Sequence, residues 1–436
     1  MSTVATVPSG SPPAQADTTR VEERLRKAPT WKTPVVMGVL GLVALVVFGL
    51  RAAKGADSTF GISTGRQALQ IAPLSLPTGP TALGLSVACL VLAVLAALAV
   101  RARRPVPLAV PIGFAALWLL AFLVWSMAGE RVPLPGLLGG TLLLSVPLVF
   151  GALSGVLCER AGVINIAIEG QLLAGAFASA FVASVSNSLW LGLVSAPLAG
   201  LLVAVLLALF AIKYHVDQII VGVVLNVLVL GLTGFLYGRL LVTNADTYNQ
   251  PGTFGRIPIP GLVEIPVVGP ALFDQTIIVY LMYVAVVAVQ VALFRTRWGL
   301  RVRAVGEHPQ AADTVGITVN RIRVQNVLYG GAMAGLGGAF FTLGSVGAFG
   351  REMTAGQGFI ALAAMIFGRW SPVGALFAAL LFGFANQLQG TLGALGSPIP
   401  SEFMLMAPYL VTIFAVAGLV GRVRAPAADG QPYTKG

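Results

Sequence analysis

Long apolar runs separated by short polar breaks set the pattern of this chain. A helix needs about 20 apolar residues, within a range of about 17–25, to cross the hydrocarbon core of a bilayer. Runs of this kind stand at 34–50, 81–100, 107–128, 137–157, 161–184, 188–212, 217–242, 275–295, 324–347, 358–369, 372–390 and 403–421. They predict an all-α, polytopic transmembrane bundle of 12 spans, or 10 if the weakest runs do not cross. The weak places are 358–369, which is short, and the 137–184 pair. A polar stretch from Glu159 to Gly170, ERAGVINIAIEG, interrupts that pair and predicts a discontinuous or tightly packed helix around 159–170.

Composition agrees with a membrane protein. The 436 residues are 57% hydrophobic and 10% charged, where a soluble domain has about 25% charged residues. The net charge of +11 suits a nucleic-acid ligand only until the charges are placed. They gather at the ends of the apolar runs, which is the signature of membrane topology, so no nucleic acid is expected. With the N-terminus inside and the runs alternating, 20 of the 27 basic residues fall on the inner side. The outer ones are Arg51, Lys54, Arg66, Arg131, Arg239, Arg256 and Arg351. That bias predicts a multi-pass protein of the plasma membrane with both termini cytoplasmic and lipid around it. Residues 1–30 are rich in Ser, Pro, Ala and Thr, then charged. They predict a disordered cytoplasmic tail, with a short interfacial helix at 20–28 as the alternative.

The chemistry of an enzyme is missing. Cys89 and Cys158 lie in or at the end of apolar runs and read as small hydrophobes. His215 and His308 are far apart in polar loops, and a metal site needs more ligands than that. There is no G-x-x-x-x-G-K-[ST] phosphate loop and no G-x-S-x-G nucleophile motif. No catalytic residue, metal or cofactor is expected. Two outer segments are long, 51–80 and 243–274, and prolines stiffen the second. It serves either as a connector or as a docking surface for an external partner.

Polar residues inside apolar runs are the candidates for function. Asn165 and Glu169 stand four apart, on one face of a helix. Glu169 is the acidic residue placed deepest in the predicted spans. A carboxylate there is costly, by about 2.5 kcal/mol or more, and so faces protein or water. Three roles are open to it: tying down a broken segment, touching a solute, or relaying protons. The last lacks a second buried acid or histidine as partner. Asn226 is polar within VGVVLNVLVLG, and Asn386, Gln387 and Gln389 follow in a later span; interhelical hydrogen bonding accounts for each. In YGGAMAGLGGAF, Gly331 and Gly335 stand four apart, as do Ala334 and Gly338, which predicts close helix packing. The loop 295–323 carries six arginines and a helical core from Pro309 to Val315, with Pro309 at a first-turn position and Gly316 as the stop. It is expected to dock a soluble partner, where an ordinary positive-inside loop would not need the helix with its stop.

These motifs resemble those of the permease subunits of ABC importers, within the branched-chain amino acid, simple sugar and nucleoside permease superfamily. ERAGVINIAIEG followed by QLLAGAFASA is similar to the signature of the nucleoside and simple-sugar branch. RAVGEHPQAADTVGI, at 303–317 and with Arg303 and Gly306 in its first turn, resembles the ATPase-coupling loop. There Gln310, Ala311, Ala312 and Gly316 fit the EAA-xxx-G pattern, with Gln310 in place of the usual Glu. Gly356–Gly383 resembles the C-terminal block. The resemblance implies a permease core at 137–421, an N-terminal membrane extension of about three spans at 31–136, and a cytoplasmic tail at 422–436. It implies a separate ABC ATPase subunit, a second permease subunit, an extracytoplasmic solute-binding protein, and alternating-access transport of a small polar solute, a nucleoside or else a simple sugar. Asn165, Glu169 and Asn226 become substrate-pathway candidates. The competing functions are a proton-coupled secondary transporter using Glu169, and a polytopic scaffold or membrane enzyme.

Overall fold

A computed structural model describes residues 31–53, 55–64, 67, 70–395, 406 and 424–434. The predicted tail at 1–30 lies outside the described residues, as does the predicted span at 403–421 apart from Met406. Among the described residues ten helices are long and apolar enough to cross a bilayer. The chain is a polytopic helical bundle.

Two compact units divide it, one formed by residues up to 60 with 74–132, the other by 61–73 with 133 onward. The first contains α1 (Lys32–Val43), β1 (Asp57–Gly61), β2 (Leu74–Pro77), α2 (Thr78–Arg101), α3 (Ala109–Ser126) and β3 (Arg131–Pro133). The strands form one small sheet in the order β2-β1-β3, with Asp57 opposite Pro77 and Phe60 opposite Leu74. Its three helices join through Met37, Cys89 and Phe114, and through Phe48 packed among Trp118, Phe122 and Trp125. Two polar side chains satisfy helix carbonyls across these seams: Ser86 Oγ donates to Ala44 and Trp118 Nε1 to Leu40, each at 3.0 Å.

The second unit is built around α4 (Leu134–Glu159), whose most apolar window is 89% buried, so it is a core helix rather than a lipid-facing one. Around it lie α5 (Ile168–Ser186), α6 (Leu189–Ala208), α7 (Gln218–Leu236), α8 (Ile277–Arg295) and α11 (Val319–Ala339). Two short helices, α9 (Arg297–Glu307) and α10 (Pro309–Thr314), fill the arginine-rich loop; α12 (Gln357–Phe367) and α13 (Pro372–Ala394) close the described bundle. Helices α6, α7 and α11 each end in a widened π-helical turn. A two-residue ladder, β4 (Ile257–Pro258) with β5 (Asp274–Gln275), stiffens the proline-rich outer segment.

Two expectations about spans change. The predicted span at 358–369 is α12, whose 11 residues reach only about 16 Å. The hydrocarbon core is about 30 Å thick, so α12 goes about half way. The predicted span at 161–184 does not begin at 161: α4 stops at Glu159, α5 starts at Ile168, and the residues between are not helical. The predicted discontinuity is therefore real, and it lies between two helices.

Small residues let α11 pass between its neighbours. Gly331 and Gly335 lie against Gly200 and Ala196 of α6, and Gly338 against the Leu172 carbonyl and Gly175 of α5. A Cβ at Gly335 would strike the Ala196 carbonyl and stand 3.0 Å from the Gly200 Cα. Backbone cannot swing aside as a side-chain tip can, so Gly335→Val should destabilise by at least the ~1–3 kcal/mol of ordinary overpacking. Gly231→Val on α7 meets nothing within 4 Å and should stay within ~0.5 kcal/mol of wild type. Melting of the purified variants in detergent checks this; equal melting temperatures would mean that α6 and α11 are not in backbone contact.

Candidate functional site

The unwound segment 160–167 is the focus of the polar side chains in the second unit. It starts with a helix stop that its own sequence dictates. Gly162, at φ +84°, follows α4; its N–H bonds the Glu159 carbonyl at 2.9 Å, and the Val163 N–H bonds Cys158 at 3.1 Å. That pair of bonds is a Schellman stop, which requires a left-handed residue and so favours glycine. Beyond it the backbone has no helix to satisfy it and borrows partners from α7. The Ile164 N–H donates to Gln218 Oε1 at 2.7 Å. Asn226 accepts from the Gly170 N–H and donates to the Ile166 carbonyl, both at 2.8 Å. Asn226 stands eight residues beyond Gln218, about 12 Å along α7. The segment thus climbs from the arginine-rich end toward the middle of the bundle.

Asn165 faces the other way, into the core. It is 0% exposed. Its Nδ2 donates to Ser154 Oγ at 3.1 Å and to Gln171 Oε1 at 3.0 Å. This network ties the segment to α4 and to the start of α5.

Glu169 lies at the top of the segment, in the first turn of α5. Its Oε1 accepts from the Thr354 hydroxyl at 2.6 Å and from the Gly356 N–H at 2.8 Å; its Oε2 accepts from the Gly358 N–H at 2.6 Å. The two amides belong to the start of α12. A helix start leaves N–H groups without intrahelical partners and carries about half a positive charge. The carboxylate therefore serves the N-termini of α5 and α12 at once. Gly358 has no room for a side chain, because a Cβ there would stand 2.5 Å from the Glu169 N and Cα.

The arginine-rich end is a second constellation. Glu159 Oε2 accepts from Trp370 Nε1 at 2.5 Å, and Arg160 donates to the carbonyls of Trp370 at 2.9 Å and Arg369 at 3.2 Å. These bonds hold the α12–α13 turn, where Arg369 and Trp370 both have positive φ. The Phe294 ring lies under two guanidinium groups, 5.5 Å from Arg160 Cζ and 5.2 Å from Arg303 Cζ. Burial pushes the Arg160 guanidinium down from its ordinary value, and Arg303 adds to this, while Glu307 opposes it.

In the loop itself, Thr296 Oγ1 caps α9 by accepting from the Gly299 N–H at 3.1 Å. Val302, Val305 and Gly306 are buried, and Gly306 rests on the Arg160 carbonyl where a Cβ would not fit. The Pro309–Val315 helix is present as Pro309–Thr314. Gly316, at φ +84°, ends it with the same pair of bonds as Gly162: its N–H to Asp313 at 2.9 Å and Ile317 N–H to Ala312 at 3.0 Å. Gln310, Ala311, Val315 and Gly316 are exposed, and Ala312 is buried. At the far end of α4 a cavity of about 1160 Å³ is lined by Thr64, Gln67, Arg256, Glu264, Asp274 and Gln275, among others.

Residues 137–416 match the family of branched-chain amino acid transport system permease components. The chain belongs to this permease family. The guanosine ABC transporter permease protein NupQ of Bacillus subtilis (strain 168) is 44% identical over 310 residues, which is 68% of this chain and 95% of that protein. The nucleoside ABC transporter permease protein NupC of Lactococcus lactis subsp. cremoris (strain MG1363) is 39% identical over 303 residues, 67% of this chain and 95% of that one. No solved structure matches. The permease is a multi-pass plasma-membrane subunit of an ABC transporter; it works with a separate subunit that hydrolyses ATP and with a solute-binding protein. The family match leaves out α1, α2 and α3.

The structure brings Asn226 and Glu169 to the top of the unwound segment and Arg303 and Gly306 to its base. Several of their partners were not singled out in the sequence. Ser154 and Gln171, the partners of Asn165, carry no motif of their own, and Thr354 and Gly358 lie 185 and 189 positions from the carboxylate they serve. Asn226→Ala strands one N–H and one carbonyl of the unwound segment, at about 1–3 kcal/mol per group. Its melting temperature in detergent should fall clearly, whereas Leu228→Ala, on the exposed side of α7, should melt as wild type does. Indistinguishable melting of the two variants would mean that water takes over the role of Asn226.

Proposed function

We propose that this permease is the membrane-crossing subunit of an ATP-driven nucleoside importer. The similarity to NupQ over nearly the whole of that guanosine permease supports the substrate class. A solute-binding protein delivers the nucleoside to the outer face, and the cavity beside Arg256 and Asp274, with its mixed polar and apolar lining, suits the approach. A second permease subunit completes the path. ATPase subunits dock on the cytoplasmic surface of α9 and α10 around Gln310, Ala311 and Gly316. Because Gln310 is uncharged, that contact relies on shape and on the flanking arginines more than on a carboxylate.

The observation that carries the mechanism is the single carboxylate joining two helix starts. We assign Glu169 the role of pivot and Asn226 that of a guide for the unwound segment, with Asn165 anchoring its buried side. Closure of the ATPases displaces α9. Gly306 passes the displacement to the Arg160 backbone, and the segment carries it to Glu169 and α12. ATP drives transport through such a device only if it favours one of two arrangements over the other. A proton relay is disfavoured because the partners of Glu169 are a hydroxyl and two amides, none of which hands protons on at physiological pH.

Vesicles containing the complete transporter should take up guanosine when ATP is supplied, with or without a protonophore. Glu169→Ala removes the acceptor for three donors, at about 1–3 kcal/mol each, and should cut uptake by about tenfold or more. Glu169→Gln keeps one oxygen but turns an NH2 toward the Gly358 N–H, so its uptake should lie between. Uptake that follows a proton gradient in the absence of the ATPase would sink the importer mechanism. Uptake of ribose in place of guanosine would sink the substrate class.

A further inference from the structure

The segment Arg424–Thr434 forms neither helix nor strand, yet it is docked between Pro426 and Tyr433. Ala428 is 3% exposed and Tyr433 8%. On one side it bonds the loop of α9: the Ala428 N–H donates to the Gly306 carbonyl at 2.9 Å, and the Ala427 N–H to Glu307 Oε2 at 3.2 Å. On the other side it lies against the unwound segment. The Ala428 carbonyl occupies the space that Gly162 leaves by having no Cβ, and Gly430 sits against the Ile164 side chain. Ala428 thus has its N–H on the loop and its C=O on the segment. The Tyr433 ring is buried with Val305, Ala312 and Val319, beneath α9 and α10.

Charged groups fix the docking. Arg323 of α11 is 2% exposed and donates to the Gln431 carbonyl at 2.7 Å. Its Nε and Nη2 find no hydrogen-bond partner among the described residues, and neither does Asp429 Oδ1. Burial pushes the Asp429 carboxyl up to about 6, against the lowering effect of the neighbouring Glu159 carboxyl, where the two share a proton, and of the Arg323 charge. A buried charge stripped of its neighbours is strongly destabilising. The segment is therefore either docked, with these groups together, or released, with all of them hydrated.

We propose that Arg424–Thr434 is a transmission strap that ties the ATPase-coupling loop to the base of the unwound segment, with Asp429, Arg323 and Tyr433 as positioning residues. The proposal rests on the ABC permease assignment and on α9–α10 as the ATPase dock. Without the strap, α9 touches the segment mainly where Gly306 meets the Arg160 carbonyl, a contact that resists compression but cannot pull. The strap hydrogen-bonds the loop at Gly306 and Glu307 and α11 at Arg323, and it packs on Gly162 and Ile164, so it adds a second contact through which movement of the loop reaches the segment.

The test uses the complete transporter in vesicles: this permease, its second permease subunit, the ATPase and the binding protein, with guanosine as solute. Wild-type uptake that needs no ATP would overturn the permease assignment itself, and it is read before any variant. A chain ending at residue 423 should assemble and keep its basal ATP hydrolysis. Its uptake and its solute-stimulated hydrolysis should fall about tenfold or more, within the range of ordinary coupling between sites. A synthetic peptide of residues 424–436 should restore part of both. Unchanged uptake per ATP in the shortened chain overturns the strap. If that chain does not assemble, hydrogen exchange on the intact transporter decides. The amides of Ala427 and Ala428 should change protection between the nucleotide-free and the ATP–vanadate states, together with those of 163–168. Constant protection at Ala427 and Ala428 while 163–168 changes overturns the proposal as well.

Discussion

A half-buried carboxylate among packed helices needs donors around it, because leaving it unpaired there is costly. Glu169 meets that requirement by drawing the starts of α5 and α12 to one point. Much of the local architecture follows. Helix α12 spans only about half the bilayer because its N-terminus has to lie at the carboxylate, and its end turns back at 368–371 where Glu159 and Arg160 hold it. The segment 160–167 unwinds because α5 has to start at the same depth. Gly358 is bare because the two helix starts approach to backbone distance.

The opposite end of the segment obeys the same rule with different groups. Glu159 and Arg160 stand next to each other in sequence, yet both turn to the α12–α13 turn, one as acceptor and one as donor. The polar stretch therefore grips α12 at both of its ends, through Glu169 above and Glu159–Arg160 below. A short helix held this way moves as a rigid piece when the segment moves. The arginine-rich loop meets the lower grip directly, since Phe294 lies between Arg160 and Arg303.

The sequence revealed a good deal of this. The apolar runs gave the bundle, because a lipid-facing helix has no other way to satisfy its backbone. Gly316 marked its helix stop, because left-handed φ is a local property that only a few residues tolerate. Hydropathy counts residues and not ångströms of bundle, so it took α12 for a span. It also started a span at 161, although the polar stretch from Glu159 to Gly170 marked a break that the structure places at 160–167. The partners of Glu169 were hidden for another reason. A carboxylate accepts from any N–H, and backbone amides leave no mark in a sequence; Thr354 and Gly358 became its neighbours only when the chain folded. Helix α9 escaped because its buried positions, Val302, Val305 and Gly306, are sparse among arginines and resemble a solvated loop.

The broken segment also explains how a permease can move without unfolding. A continuous helix satisfies its own hydrogen bonds and can shift only as a rod. Residues 164–170 instead take theirs from Gln218 and Asn226 of α7, and Glu169 gives its acceptors to α12. The segment must therefore travel with α7 and α12 or give up several buried bonds together, each worth about 1–3 kcal/mol. A set of bonds that is kept or lost as a group favours two discrete arrangements over a continuum of small shifts. Hydrolysis of ATP can bias a choice between two such arrangements, and it could not do so for a freely deforming chain.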